Sequence, residues 1–157
     1  MDNNDILRRL RYTFSFNDRQ MIAVFAEADE CVTREQISAW LKRDDDSAFE
    51  RLDDVQLATF LNGLIIQHRG KRDGPMAAAE RQLNNNIILR KLKIALNLED
   101  TDILNLLLRA DFPVSKPELS AFFRKPGHKN YRECKDQILR NFLKGLQLEH
   151  HVDAPGD

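Results

Sequence analysis

Asn3-Asn4-Asp5-Ile6-Leu7-Arg8-Arg9-Leu10 returns 82 residues later as Asn85-Asn86-Ile87-Ile88-Leu89-Arg90-Lys91-Leu92. The match continues well beyond this stretch. Residues 3–68 align with residues 85–150 without a gap, with 19 identities in 66 positions. Phe60-Leu61-Asn62-Gly63-Leu64 meets Phe142-Leu143-Lys144-Gly145-Leu146, Ala28-Asp29 meets Ala110-Asp111, and His68 meets His150. An ungapped match of this length reads as one unit written twice. The predicted organisation is a first unit over 1–70, a linker over 71–84 containing Gly74-Pro75, and a second unit over 85–151. The end of the chain, His151 to Asp157, is expected to fray.

Within each unit the apolar spacing is helical. Ile6, Leu7, Leu10 and Phe14 fall on one face, as do Ile88, Leu89, Leu92 and Leu96. Asn3 or Asn4, and Asn85 or Asn86, are expected N-caps for these first helices. A second helix is predicted from about Asp18, capped by Asp18, with its copy starting near Asp100. Thr33 to Gln36 and Ser115 to Glu118 read as capping boxes opening a third. The fourth is longer, with Ser47 to Glu50 and Asn130 to Glu133 as its expected caps. Gly63 and Gly145 lie late in that helix, where Gly costs about 1 kcal/mol against Ala. Close approach of a second helix is the preferred reason. Strand signals are weak, because no turn dipeptide sits between alternating apolar runs. The predicted fold is therefore all-α, a tandem duplication of a small bundle of about four helices.

Composition narrows the class of function. The chain has 157 residues, 42% apolar and 31% charged, with a formal net charge of −1. No apolar run approaches the length needed to span a bilayer, and the start carries no secretory pattern. Two cysteines fit a reducing compartment, so a cytoplasmic location is expected. No phosphate-binding glycine loop, CxxC or HExxH motif is present, so no cofactor and no metal site is predicted. Of the four histidines, His68, His150 and His151 fit helix ends better than ligand sets, and His128 stands alone. No catalytic residue is assigned. Asp54 and Asp136 recur at matched positions, where stabilising their own helix starts or pairing with Arg8 and Arg90 is expected.

Two groups of residues remain as candidate sites. Asn3, Asn4 and Arg8, with their copies Asn85, Asn86 and Arg90, form a candidate duplicated polar surface. The second unit also carries Arg124-Lys125-Pro126-Gly127-His128-Lys129-Asn130-Tyr131-Arg132, a basic run between a short helix and a long one. Its Lys and Arg suit phosphates, Asn130 a base edge, and Tyr131 a stacked base. The first unit has Lys42-Arg43-Asp44-Asp45-Asp46-Ser47 at that place, where the acids would repel phosphate. Residues 3–70 sum to −3 and residues 84–151 to +4.

The Asn-Asn-x-Ile-Leu-Arg opening, the Phe-Leu-x-Gly-Leu closing and Gly127 to Cys134 resemble the bacterial YehS-like family. That is a family of unknown function, found as a tandem duplication in short cytoplasmic proteins. The resemblance runs from Asn3 to His150. It implies two similar domains and assigns no substrate, cofactor or active-site residue. The functional expectation is a non-enzymatic binding module whose partner is a protein, with self-association as a homodimer included. The alternative is nucleic-acid or phosphate-anion binding through the basic second repeat. An uncharacterised enzyme is the third reading.

Overall fold

The computed structural model describes residues 1–151; the expected fraying of the chain's end concerns residues that, His151 apart, lie outside the described ones. Eight helices and no strand occur among the described residues. They are α1 (Asn3–Phe14), α2 (Asp18–Glu27), α3 (Arg34–Leu41) and α4 (Asp54–Arg69), then α5 (Asn85–Ala95), α6 (Asp100–Arg109), α7 (Lys116–Phe122) and α8 (Asp136–His150). The chain divides into two compact units, Met1–Leu83 and Asn84 onward. The protein is an all-α tandem duplication of a four-helix unit.

In the first unit α4 packs on α2, and α1 and α3 close the bundle. Leu7, Leu10, Met21, Val24, Phe25, Ile37, Leu57 and Phe60 are fully buried. Phe25 sits centrally, its ring 5.2 Å from that of Phe60 and 5.4 Å from that of Trp40. These tilted arrangements suit aromatic quadrupoles. Phe14 is only half-buried, at the edge of the predicted stripe. In the second unit α8 packs on α6 in the same way. Leu92, Ile103, Leu107, Leu119, Leu139 and Phe142 are fully buried there.

The backbone is duplicated as well as the sequence. Ser15 (φ 54°) and Asn97 (φ 54°) stand in the left-handed region after the first helix of each unit. Asp29 (φ 61°) and Asp111 (φ 61°) do the same after the second. Each pair is separated by the repeat offset. Left-handed backbone at non-glycine residues is uncommon, and Asn and Asp tolerate it best.

Several expected caps shift by a residue or more. Asp2, not Asn3 or Asn4, caps α1, accepting from the Asp5 amide at 2.9 Å. Asn84, not Asn85 or Asn86, caps α5 by accepting from the Ile87 amide at 2.8 Å. Asn17, not Asp18, caps α2 through a box with Gln20. The boxes at Thr33 and Ser115 form as predicted. The long helices begin later than expected. Asp53 caps α4 through Gln56, and Lys135 precedes α8. The residues before them run outside any helix, although Leu52 and Cys134 are buried. Leu52, buried from a segment outside any helix, thus imitates a continuation of the helical stripe.

Gly63 and Gly145 mark the tightest packing. A Cβ on Gly63 would collide with the carbonyl of Val24 in α2, and one on Gly145 with the carbonyl of Leu106 in α6. Close helix approach is therefore the reason both units keep glycine.

Candidate functional site

The second asparagine of each repeated pair faces the interior, not solvent. Asn4 and Asn86, both expected on a polar surface, are buried. Asn4 Nδ2 donates to Trp40 O at 2.9 Å and Glu50 O at 3.0 Å, and its Oδ1 accepts from the Leu52 amide at 3.0 Å. Asn86 repeats the set on Phe122 O, Arg132 O and the Cys134 amide at 3.0, 2.8 and 3.0 Å. One amide side chain in each unit thereby satisfies two main-chain groups of the loop between the third and fourth helices and one carbonyl in the last turn of the third. Leaving such groups unpaired in a core is costly, so these asparagines hold the loop against the first helix.

Asn3 and Asn85 bind the neighbouring turn. Asn3 Nδ2 donates to Asp54 Oδ1 at 2.8 Å and to Leu52 O at 3.2 Å. Asn85 Nδ2 reaches Asp136 Oδ1 at 2.7 Å and Cys134 O at 2.9 Å. Asp54 also accepts from the Leu83 amide at 2.8 Å. Both aspartates stand in the first turn of their helices, as expected, but their partners are asparagines and not Arg8 and Arg90. The Asn85 bond holds the Asp136 carboxyl below the usual carboxylate value.

Arg8 and Arg90 occupy one position in two settings. Arg8 donates to Lys42 O at 2.7 Å and pairs with Asp5 at 2.6 Å and Asp44 at 3.6 Å. Arg90 also donates to a main-chain oxygen at the end of the third helix, Phe123 O at 2.7 Å, one repeat position before the match of Lys42. The residues matching Asp5 and Asp44 are Ile87 and Pro126. Among the described residues no carboxylate pairs with Arg90. Lys93, one turn further along α5, sits 4.6 Å over the Phe123 ring and pairs with Asp100 at 2.7 Å. The guanidinium of Arg90 is thus fixed at the root of the basic loop, joining two candidates that looked separate in the sequence.

The two loops share a path and differ in charge. Asp46 and His128 amides donate to Arg43 O and Lys125 O, each at 3.0 Å. Glu50 and Arg132 amides donate to Ala39 O and Ala121 O, each at 3.1 Å. Asp46 Oδ1 accepts from the amide two residues on, Ala48, at 2.8 Å. His128 Nδ1 accepts from the amide two residues on, Asn130, at 3.0 Å. The imidazole replaces a carboxylate while keeping its turn bond. Arg124, Lys125, His128, Lys129, Asn130 and Arg132 are exposed, and Tyr131 is half-buried.

A second feature set apart from the duplication lies at the ends of α6 and α8, and the sequence reading missed it. Leu108 is 60% exposed and Leu148 40%. Arg109 donates to Glu149 at 2.6 Å and to Leu148 O at 3.1 Å, joining these two helix ends. The first unit has Ala26 where Leu108 stands. That Ala-to-Leu change on an outward position was the available signal. Of the cysteines, Cys31 is exposed and Cys134 buried, where burial pushes the Cys134 thiol up to about 12.

Tandem four-helix units tied by buried asparagines define the class. The chain belongs to a family described as a protein of unknown function (DUF1456), whose model matches residues 3–70 and again 85–151. It is 46% identical over 153 residues to the uncharacterized protein YehS of Escherichia coli (strain K12), covering 97% of this chain and 98% of that one. No solved structure matches.

Proposed function

We propose that the protein is a non-enzymatic binding module of the cytoplasm, and that its partner is a protein held at the joined ends of α6 and α8. The observation carrying this reading is Leu108, the most exposed large apolar side chain among the described residues. Single exposed apolar residues are ordinary, but Leu148 stands at the same end and an ion pair rims it. An apolar centre inside a polar rim is how protein interfaces are built. The equivalent end of the first unit carries Ala26, so the patch is not a requirement of the fold. Both cysteines are free, which suits a reducing compartment. No helix among the described residues is long and apolar enough to cross a membrane.

The test is retention from nuclease-treated native lysate on immobilised full-length protein, beside the Leu108→Asp/Leu148→Asp variant. A protein retained by the parent and lost by the variant is the expected result. Retention that is equal for both, or that vanishes with nuclease, would sink the reading. Light scattering on the same pair separates a second copy of this chain from another protein.

A further inference from the structure

We propose that the face of the second unit formed by Arg90 and the loop over residues 124–132 binds the phosphate backbone of a nucleic acid. The argument rests on the comparison between units, and not on the presence of basic residues alone. Residues 42–50 carry two cations against four carboxylates; residues 124–132 carry four cations and no carboxylate. Yet the loops trace the same path, through the same main-chain bonds and the same buried asparagine. Shape was kept while charge was inverted.

The inversion is systematic. Asp44, Asp45 and Asp46 give way to Pro126, Gly127 and His128, and Asp5 to Ile87. The losses of Asp5 and Asp44 remove both carboxylates that pair with Arg8, while the matching Arg90 is still held at the end of the third helix, on Phe123 O. His128 is the most telling case. Its Nδ1 takes over the amide that Asp46 holds in the first unit, so the turn survives without its negative charge. The loop's main-chain bonds are the same with and without these carboxylates. The effect of their loss falls on whatever approaches from solvent.

A spread of cations suits a chain of phosphates better than one phosphate group. Arg90, Arg124, Lys125, Lys129 and Arg132 lie on two elements, and phosphate contacts by Lys and Arg position a nucleic acid without reading its sequence. The half-buried Tyr131 offers a ring for a base. The site is separate from Leu108 and Leu148, so this inference and the protein-binding reading stand or fall independently.

Fluorescence anisotropy with a labelled single-stranded oligonucleotide tests it, using the full chain in 50 to 300 mM salt. Five phosphate contacts predict a log–log salt slope of about −3.5. Arg90→Gln/Lys125→Gln/Lys129→Gln, checked for native helicity, should weaken binding at 50 mM salt by roughly tenfold or more. Grafting Pro, Gly and His in place of Asp44, Asp45 and Asp46 should tighten it, a gain that unfolding cannot imitate. Absent binding at 50 mM salt, a variant as good as the parent, or a graft that changes nothing would each overturn the proposal. Heparin or phosphatidylserine vesicles binding as tightly per charge would also overturn it, reducing the face to a general polyanion surface.

Discussion

The α-carbon of Gly63 lies so close to the carbonyl oxygen of Val24 that a methyl group there would fall inside the 3.0 Å within which real Cβ atoms are essentially never found. Gly145 and Leu106 repeat the relationship. Helix propensity and packing therefore make opposite predictions for Gly→Ala. An exposed helical glycine gains about 1 kcal/mol from the change. Here the neighbour is backbone, which cannot step aside without separating two helices. Gly63→Ala and Gly145→Ala should each lose at least about 1–3 kcal/mol in urea unfolding. A stabilised variant would show that the helices have room.

Asn4 and Asn86 each satisfy three main-chain groups with one side chain. Asn4→Ala would leave those groups unpaired at a buried site, at a cost of roughly 2–5 kcal/mol. Asn4→Asp keeps the acceptor but sets a carboxylate against two carbonyls, so it should be no better. Hydrogen exchange at the Leu52 amide reports the same event locally. Protection there that survives Asn4→Ala would contradict the role assigned to the asparagine.

Asp136 titrates below the usual carboxylate range because Asn85 donates to it. Asp5 is also lowered, burial opposing the shift but its bonds to Arg8 and to the Asp2 amide outweighing it. A folded value beneath the unfolded one, about 3.9 for Asp, gives stability that is complete above that pH. That stability is lost as pH falls through the lower folded value. Asn85→Ala should raise the Asp136 titration seen by NMR, and its stability deficit should narrow in acid. A deficit that is flat with pH would show that the Asp136 bond contributes nothing through charge.

Cys134 is buried, and desolvation together with Asp136 and Glu133 disfavours its thiolate. The thiolate is the reactive form, so a disulfide reagent at neutral pH should modify one thiol per native chain, Cys31. Cys31→Ser should abolish the fast phase, and denaturant should expose a second thiol. Rapid modification of Cys134 in the native protein would contradict its burial.

The helices and the role of the two glycines were legible in the sequence, because apolar periodicity and a repeated Gly in a helix are local signals. The starts of α4 and α8 were not, because Leu52 and Cys134 are buried by tertiary contact while outside any helix. The asparagines escaped for a related reason: their partners lie 36 to 48 residues away. Nothing local distinguishes such a residue from an N-cap. The divergence of Arg8 and Arg90 was present in the alignment, at Asp5 against Ile87 and Asp44 against Pro126. It acquires meaning only once each guanidinium is seen on the carbonyl of the residue that caps the end of its unit's third helix, Lys42 or Phe123, one repeat position apart.

Because Asn4 and Asn86 grip the loop by its peptide groups, the exposed side chains over residues 43–48 and 125–130 are not what holds the loop to the bundle. The segment works as an interchangeable cassette, clamped at fixed points and open to rewriting between them. A protein holding two such cassettes can present opposite electrical faces from a single scaffold.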